Sequence, residues 1–98
     1  MIDSFADQGT EDILNGLQTK EARAVLPVIT LHKIAKRKLE MIYYAFILND
    51  LMVPPGNRLE KLKGNLQDFW SIRINDQWRI IFKWHNNSAT DVQIVDYH

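Results

Sequence analysis

Residues 70–85 read Trp70-Ser71-Ile72-Arg73-Ile74-Asn75-Asp76-Gln77-Trp78-Arg79-Ile80-Ile81-Phe82-Lys83-Trp84-His85, and their alternation decides the fold class. Trp70, Ile72 and Ile74 share one side of a strand over Phe69–Asn75, with Ser71 and Arg73 on the other. After the turn Asn75-Asp76-Gln77, the residues Trp78, Ile80, Phe82 and Trp84 oppose Arg79, Ile81 and Lys83 along Trp78–His85. A period of two is the mark of a strand with one face buried. Two such runs joined by a polar turn predict an antiparallel hairpin. Its open face is expected to carry Arg73, Arg79 and Lys83.

Working outward, Asn86-Asn87-Ser88 predicts a second turn and Thr90–Tyr97 a closing strand. A short strand is expected at Arg58–Leu62, ahead of a break at Gly64-Asn65. Val53-Pro54-Pro55-Gly56-Asn57 is expected to end all helical character, because proline lacks a donor and restricts the residue before it. The N-terminal half changes period. Leu31, Ile34, Ala35, Leu39 and Ile42 recur at steps of three and four, predicting a main helix over Val28–Phe46 that starts after Pro27. Lys33, Lys36, Arg37 and Glu40 fall largely on its solvent side. Thr10 is expected to cap a shorter helix with Ile13, Leu14 and Leu17 on its apolar side, and Met1–Phe5 to form a short first strand. Helices followed by a meander give an α+β fold, with N-terminal helices packed on one face of a small, twisted, mostly antiparallel sheet.

The 98 residues are expected to form one domain with one modest core. Cysteine is absent, which excludes a disulfide framework and a thiolate metal site. The three histidines show no zinc-ligand spacing, and no cofactor or metal is expected. No apolar run approaches the ~20 residues needed to span a bilayer, and the start lacks the pattern of a signal peptide. A cytoplasmic protein without a membrane partner is therefore expected. Formal net charge is zero, but it is segregated. Residues 1–21 hold Asp3, Asp7, Glu11, Asp12 and Glu21 against Lys20, whereas residues 58–83 hold Arg58, Lys61, Lys63, Arg73, Arg79 and Lys83 against Glu60, Asp68 and Asp76. That excess suits placing a phosphate backbone, not holding long RNA unaided.

The chain closes on Asp96-Tyr97-His98, a carboxylate, a phenol and an imidazole beside the terminal α-carboxylate. These are groups from which metal-free acid–base chemistry is built. RNA is cut without metal when its own 2′-hydroxyl attacks the adjacent phosphorus. The protein then supplies a base, an acid for the leaving 5′-oxygen, and cations for the phosphorane oxygens. His98 is the natural proton donor. Asp96 serves as the base or orients His98, and the residues do not separate these roles. Tyr97 suits base stacking or a phosphate bond, and Arg79 has the fork for bidentate phosphate binding. Blander readings compete: a frayed tail, or a surface ion pair between Arg79 and Asp96. Trp70, Trp78 and Trp84 read as core, His32 and His85 as exposed and inert, and Lys33–Lys38 as a solvated helix face or a ribosomal RNA contact.

Pro54-Pro55-Gly56-Asn57-Arg58-Leu59-Glu60, Lys63-Gly64, Trp70–Ile80 and the ending Val95-Asp96-Tyr97-His98 together resemble the HigB group of RelE-type toxins. The resemblance covers nearly the whole second half. It implies the RelE-like microbial ribonuclease fold and a ribosome-dependent, metal-independent endoribonuclease that cleaves mRNA. It also implies silencing by a HigA-like helix-turn-helix antitoxin, with operator DNA met only through that antitoxin. The family's catalytic positions fall on His98, Asp96 and Arg79. Lys63 matches its leucine-lysine-glycine step, and Tyr97, Arg73, Lys61 and Arg58 complete the expected substrate-binding rim. Where some members carry a histidine this chain has Glu60, so a two-histidine mechanism is not expected to carry over. The alternative is a catalytically attenuated module that engages antitoxin and operator without cutting RNA.

Overall fold

The computed structural model describes residues 1–97. The hairpin forms as the alternation predicts, as β2 (Trp70–Arg73) and β3 (Trp78–His85). Asn75 makes the turn, its side-chain oxygen accepting from the backbone N–H of Gln77 at 2.9 Å and Trp78 at 2.7 Å. A two-residue turn follows, with Asn86 and Asn87 both left-handed (φ 50° and 62°), the geometry that matches strand twist in tight hairpins. Then comes β4 (Ser88–Asp96). A two-residue β1 (Glu60–Lys61) pairs with the outer side of β2, giving an antiparallel sheet in the order β1-β2-β3-β4. The segment predicted as a first strand makes only two parallel bridges to β4, Ile2 with Ala89 and Phe5 with Val92.

The helices are α1 (Gln8–Leu14), α2 (Lys20–Val25) and α3 (His32–Tyr44). Four sequence expectations change here. Asp7, not Thr10, caps α1, its Oδ1 accepting from the Thr10 N–H at 2.7 Å. Thr10 is instead buried, and its hydroxyl accepts from the Ile94 N–H at 3.3 Å, tying α1 to β4. The main helix starts later than predicted because Ile29–Leu31 is a 3₁₀ turn, and the separate helix α2 precedes it. Helical character also continues beyond α3 as 3₁₀ turns at Leu48–Met52 and Pro55–Asn57. His32, expected to be exposed, is buried with Nε2 2.7 Å from the Leu26 carbonyl oxygen.

Ile13 of α1, with Ala35, Leu39 and Ile42 of α3, packs on Ile72, Ile80, Phe82, Val92 and Ile94 from one sheet face. Of the tryptophans, Trp78 is buried and Trp70 and Trp84 are half-buried against this core. Gly9 lets α1 and α2 close together, since a Cβ there would stand 2.2 Å from the Glu21 carbonyl oxygen.

Asp12 joins these two helices. It accepts from the Thr19 hydroxyl at 2.6 Å and from Gln8 Nε2 at 2.8 Å, while Thr19 caps α2 by accepting from the Ala22 N–H at 3.0 Å. The Thr19 bond, and then that of Gln8, hold the Asp12 carboxyl below its ordinary value. A carboxyl depressed in the folded state stabilises above its unfolded pKa and loses that contribution as pH falls through the folded value. Asp12→Asn is therefore expected to lower Tm at pH 7, the gap to wild type shrinking below about pH 4. Parallel melting curves at pH 7 and pH 3 check this, and a gap independent of pH would contradict it.

Candidate active site

The face of the sheet away from the helices carries the cations. Register puts Arg73 directly opposite Arg79, with Val95 next in the row, and Ser71 opposite Ile81, with Gln93 next. Ser71 and Ile81 are buried despite facing this side, so in β2 and β3 the open face is charged toward the Arg73–Arg79 end and at Lys83, with Glu60 of β1 beside Ser71. Like charges directly opposed across strands oppose folding. Asp76 relieves part of that repulsion through an ion pair with Arg73. Its carboxyl is held below the usual range first by the hydrogen bond and charge of Arg73, and further by Arg58 and Arg79. The charges of three arginines therefore reach the fully exposed Asp76 carboxylate, Arg73 by direct contact.

Arg79 is directed by carbonyl groups. Its Nη1 donates to the Asn75 oxygen and, at 3.3 Å, to that of Trp78. Its guanidinium lies 5.4 Å from the centre of the Tyr97 ring, a cation–π contact. Gln77 fastens the end of β4, its backbone oxygen accepting from the Tyr97 N–H at 2.7 Å and its side chain donating to Asp96 at 3.1 Å.

Asp96 is placed differently from Arg79. It pairs with Trp78, whereas Arg79 pairs with Val95, and neighbouring positions of a strand point to opposite faces. The cause is a β-bulge. Thr90 pairs with Lys83, but Gln93 pairs with Ile81, so β4 carries one extra residue in between. Asp91 sits there with φ 52°, its N–H donating to Ser4 Oγ at 2.9 Å and its carboxylate 3.3 Å from Lys83 Nζ. The extra residue reverses the parity of everything beyond it. Without it, Asp96 would share the face of Arg79; with it, Tyr97 does. The proposed Arg79–Asp96 ion pair therefore gives way to Asp96 with Gln77 and Arg79 with Tyr97.

Tyr97 also walls a cleft of about 240 Å³ with Glu60, Lys61, Leu62, Lys63 and Leu66. Lys63 is exposed there at the start of a 3₁₀ turn whose Gly64 has φ 66°, a conformation glycine adopts without strain. Lys61 lines the same cleft but turns its ammonium over Trp70, 5.2 Å from the ring centre. Glu60 makes no ion pair with either lysine among the described residues. Arg58 is exposed and left-handed. Arg58, Arg73, Arg79, Tyr97 and Lys63 are thus brought to one end of the open face, and Lys83 is spent on Asp91. His98 lies outside the described residues. Gln77, Asp76 and the Asp91 bulge were missed by sequence reasoning. Only the bulge leaves a signal, in the spacing of the buried residues Ala89, Val92 and Ile94.

A family model described as "RelE-like toxin of type II toxin-antitoxin system HigB" matches residues 4–98. Toxin HigB-1 of Vibrio cholerae is 47% identical over 58 residues, 59% of this chain and 61% of that protein. Endoribonuclease HigB of Proteus vulgaris is 39% identical over 41 residues, 42% of this chain and 45% of that protein. The chain thus matches about three fifths of the first relative's length and under half of the second's. A chain of the YoeB-YefM complex from Staphylococcus aureus superposes on 100% of this chain and over 98% of its own length, with TM-score 0.59 and 19% identity, a likeness of fold.

Proposed function

The chain belongs to the HigB-like family of RelE-like toxins of type II toxin–antitoxin systems, and from that premise we propose that it is an endoribonuclease cutting mRNA on the ribosome. The RNA 2′-hydroxyl attacks the neighbouring phosphorus as the bond to the 5′-oxygen breaks. The products are a 2′,3′-cyclic phosphate and a free 5′-hydroxyl. His98 donates the proton taken by the departing oxygen. Asp96 receives the 2′-hydroxyl proton or orients His98. Arg79, with Arg73 and Arg58 beside it, meets the charge that grows on the phosphorane oxygens. Tyr97 stacks on a base next to the cut, and Lys63 holds the backbone at the cleft.

The observation that carries this reading is the opposed pair Arg73 and Arg79, maintained against repulsion next to Tyr97. A zero net charge supplies little general attraction for RNA, so the ribosome presents the strand, and the site of action is the cytoplasm. A HigA-like helix-turn-helix antitoxin is the proposed inhibitor, bridging the toxin to operator DNA.

Mapping of mRNA ends on purified ribosomes tests the proposal. Cuts within translated codons leaving 5′-hydroxyl ends are expected, and equal cutting of the same RNA without ribosomes would remove the ribosome from the mechanism. The non-catalytic alternative draws on one observation, the engagement of Asp96 by Gln77 away from Arg79. It predicts intact mRNA in the same assay.

A further inference from the structure

One cation lies where the chemistry above has no use for it. Lys38, in the basic run of α3, is only 7% exposed, and a lysine is rarely buried unless paired. Its ammonium donates to Oδ1 of Asn57, a neutral side chain that is itself fully buried. The other end of that amide is also used, Nδ2 donating to the carbonyl oxygens of Leu51 at 3.2 Å and Val53 at 3.4 Å. With the ammonium fixing which end is oxygen, the amide has a single orientation that satisfies every partner. Burial first, then the charges of Arg37 and Arg73, hold the Lys38 pKa below the usual lysine value. Lys38 therefore feels the charge of Arg73, one of the opposed pair.

The residue after Asn57 is Arg58, left-handed at φ 47° and ψ 53°, its N–H donating to the Pro55 oxygen at 3.1 Å. Residues other than glycine, asparagine and aspartate rarely enter this region unless their surroundings hold them there. Arg58 in that pose acts on the Asp76 carboxyl together with Arg73 and Arg79. We propose that Lys38 is a positioning residue of the phosphate site: through Asn57 it fixes the turn that sets Arg58 beside Arg73 and Arg79. The assignment rests on the nuclease reading only for what the arginines bind. A charge-assisted bond is stronger than the one a neutral donor would make, which is what the lysine adds at the cost of burying a charge.

Two measurements on the full chain test it. Amide hydrogen exchange needs no RNA. In Lys38→Met the Asn57 and Arg58 amides are expected to exchange at least about tenfold faster, with Ile80 and Phe82 unchanged. Unchanged Arg58 exchange, or equal acceleration at all four amides, would overturn the proposal. If Lys38→Met does not fold, Lys38→Gln serves, which keeps a neutral donor for Asn57 but loses the charge. It is expected to give a smaller acceleration at Asn57 and Arg58 alone. Acceleration at neither, or equally at all four amides, would overturn the proposal. The second measurement is binding of a 2′-O-methylated single-stranded RNA, which has no nucleophile. Lys38→Met and Arg58→Ala are each expected to weaken binding about tenfold, and the double variant by no more than the stronger single one. Additive losses, or none in Lys38→Met, would show that Lys38 does not act through Arg58. Failure of the wild-type chain to bind this RNA off the ribosome accords with presentation of the strand by the ribosome, and hydrogen exchange then decides the role of Lys38.

Discussion

Arg79→Ala is expected to slow mRNA cleavage on the ribosome by about 10²–10³-fold while leaving Tm unchanged or slightly raised. The rate loss follows from preorganisation. The guanidinium is held by the carbonyls of Asn75 and Trp78 and by the Tyr97 ring, so it meets developing charge without first being ordered. The stability expectation has the opposite sign because Arg79 faces Arg73, and removing one of two opposed cations relieves repulsion. The core residues beside it in β3, Trp78 and Ile80, face the helices and keep their packing. Arg79→Lys retains the charge but loses the planar fork and its stacking, so it is expected to recover only part of the rate. Cleavage and melting of the same three proteins check both signs. An alanine variant that cuts at the wild-type rate would dismiss Arg79 from the mechanism, and one that melts many degrees lower would make it a structural residue.

How far the molecule could be read from its residues depends on where local pattern was enough. The strand Trp78–His85 is found at its predicted limits, because apolar and polar residues alternate there with Ile81 the one exception and polar turns bound it on both sides. The same alternation put Arg73 and Arg79 on one face. Helix α2 was passed over because its six residues, Lys20–Val25, contain too few apolar positions to show a period. Its cap, Thr19, takes its meaning from Asp12, which is a tertiary contact. Lys38 was lost for the opposite reason: it sits in a run of bases that reads as solvated, and only the docking of the 3₁₀ turn at Pro55–Asn57 encloses it.

The arginines and the tyrosine that meet at the end of the open face could be named from the sequence, but their arrangement could not. Arg79 and Tyr97 were both named, but their contact depends on the parity of β4, and that depends on one residue, Asp91. A period-two argument extended back from Tyr97 assumes an unbroken strand. The change in spacing from Ala89–Val92 to Val92–Ile94 records the break, because the buried side of a regular strand never moves by three. Asp91 is one of the few residue types that enter the left-handed region with little strain. Its bonds to Ser4 and Lys83 explain why the bulge stays at that position.

His98→Ala is expected to reduce cleavage by about 10²–10⁴-fold, the usual contribution of one well-placed proton donor. In RNA scission by the 2′-hydroxyl, the departing 5′-oxygen is a poor leaving group until it is protonated. Of the residues the family resemblance assigns to the site, only an imidazole gives up a proton readily near neutral pH. The variant is expected to fold with unchanged Tm, the core among the described residues ending at Ile94. The decisive control replaces the leaving oxygen by sulfur, which departs without a proton. On that substrate His98→Ala is expected to approach the wild-type rate, whereas Arg79→Ala, lacking a charge stabiliser instead of an acid, is expected to stay slow. The alkaline limb of the wild-type pH–rate profile should also vanish in His98→Ala. Equal impairment of His98→Ala on the oxygen and sulfur substrates would show that the imidazole has some other task, and undiminished cutting of ordinary mRNA would show that it has none.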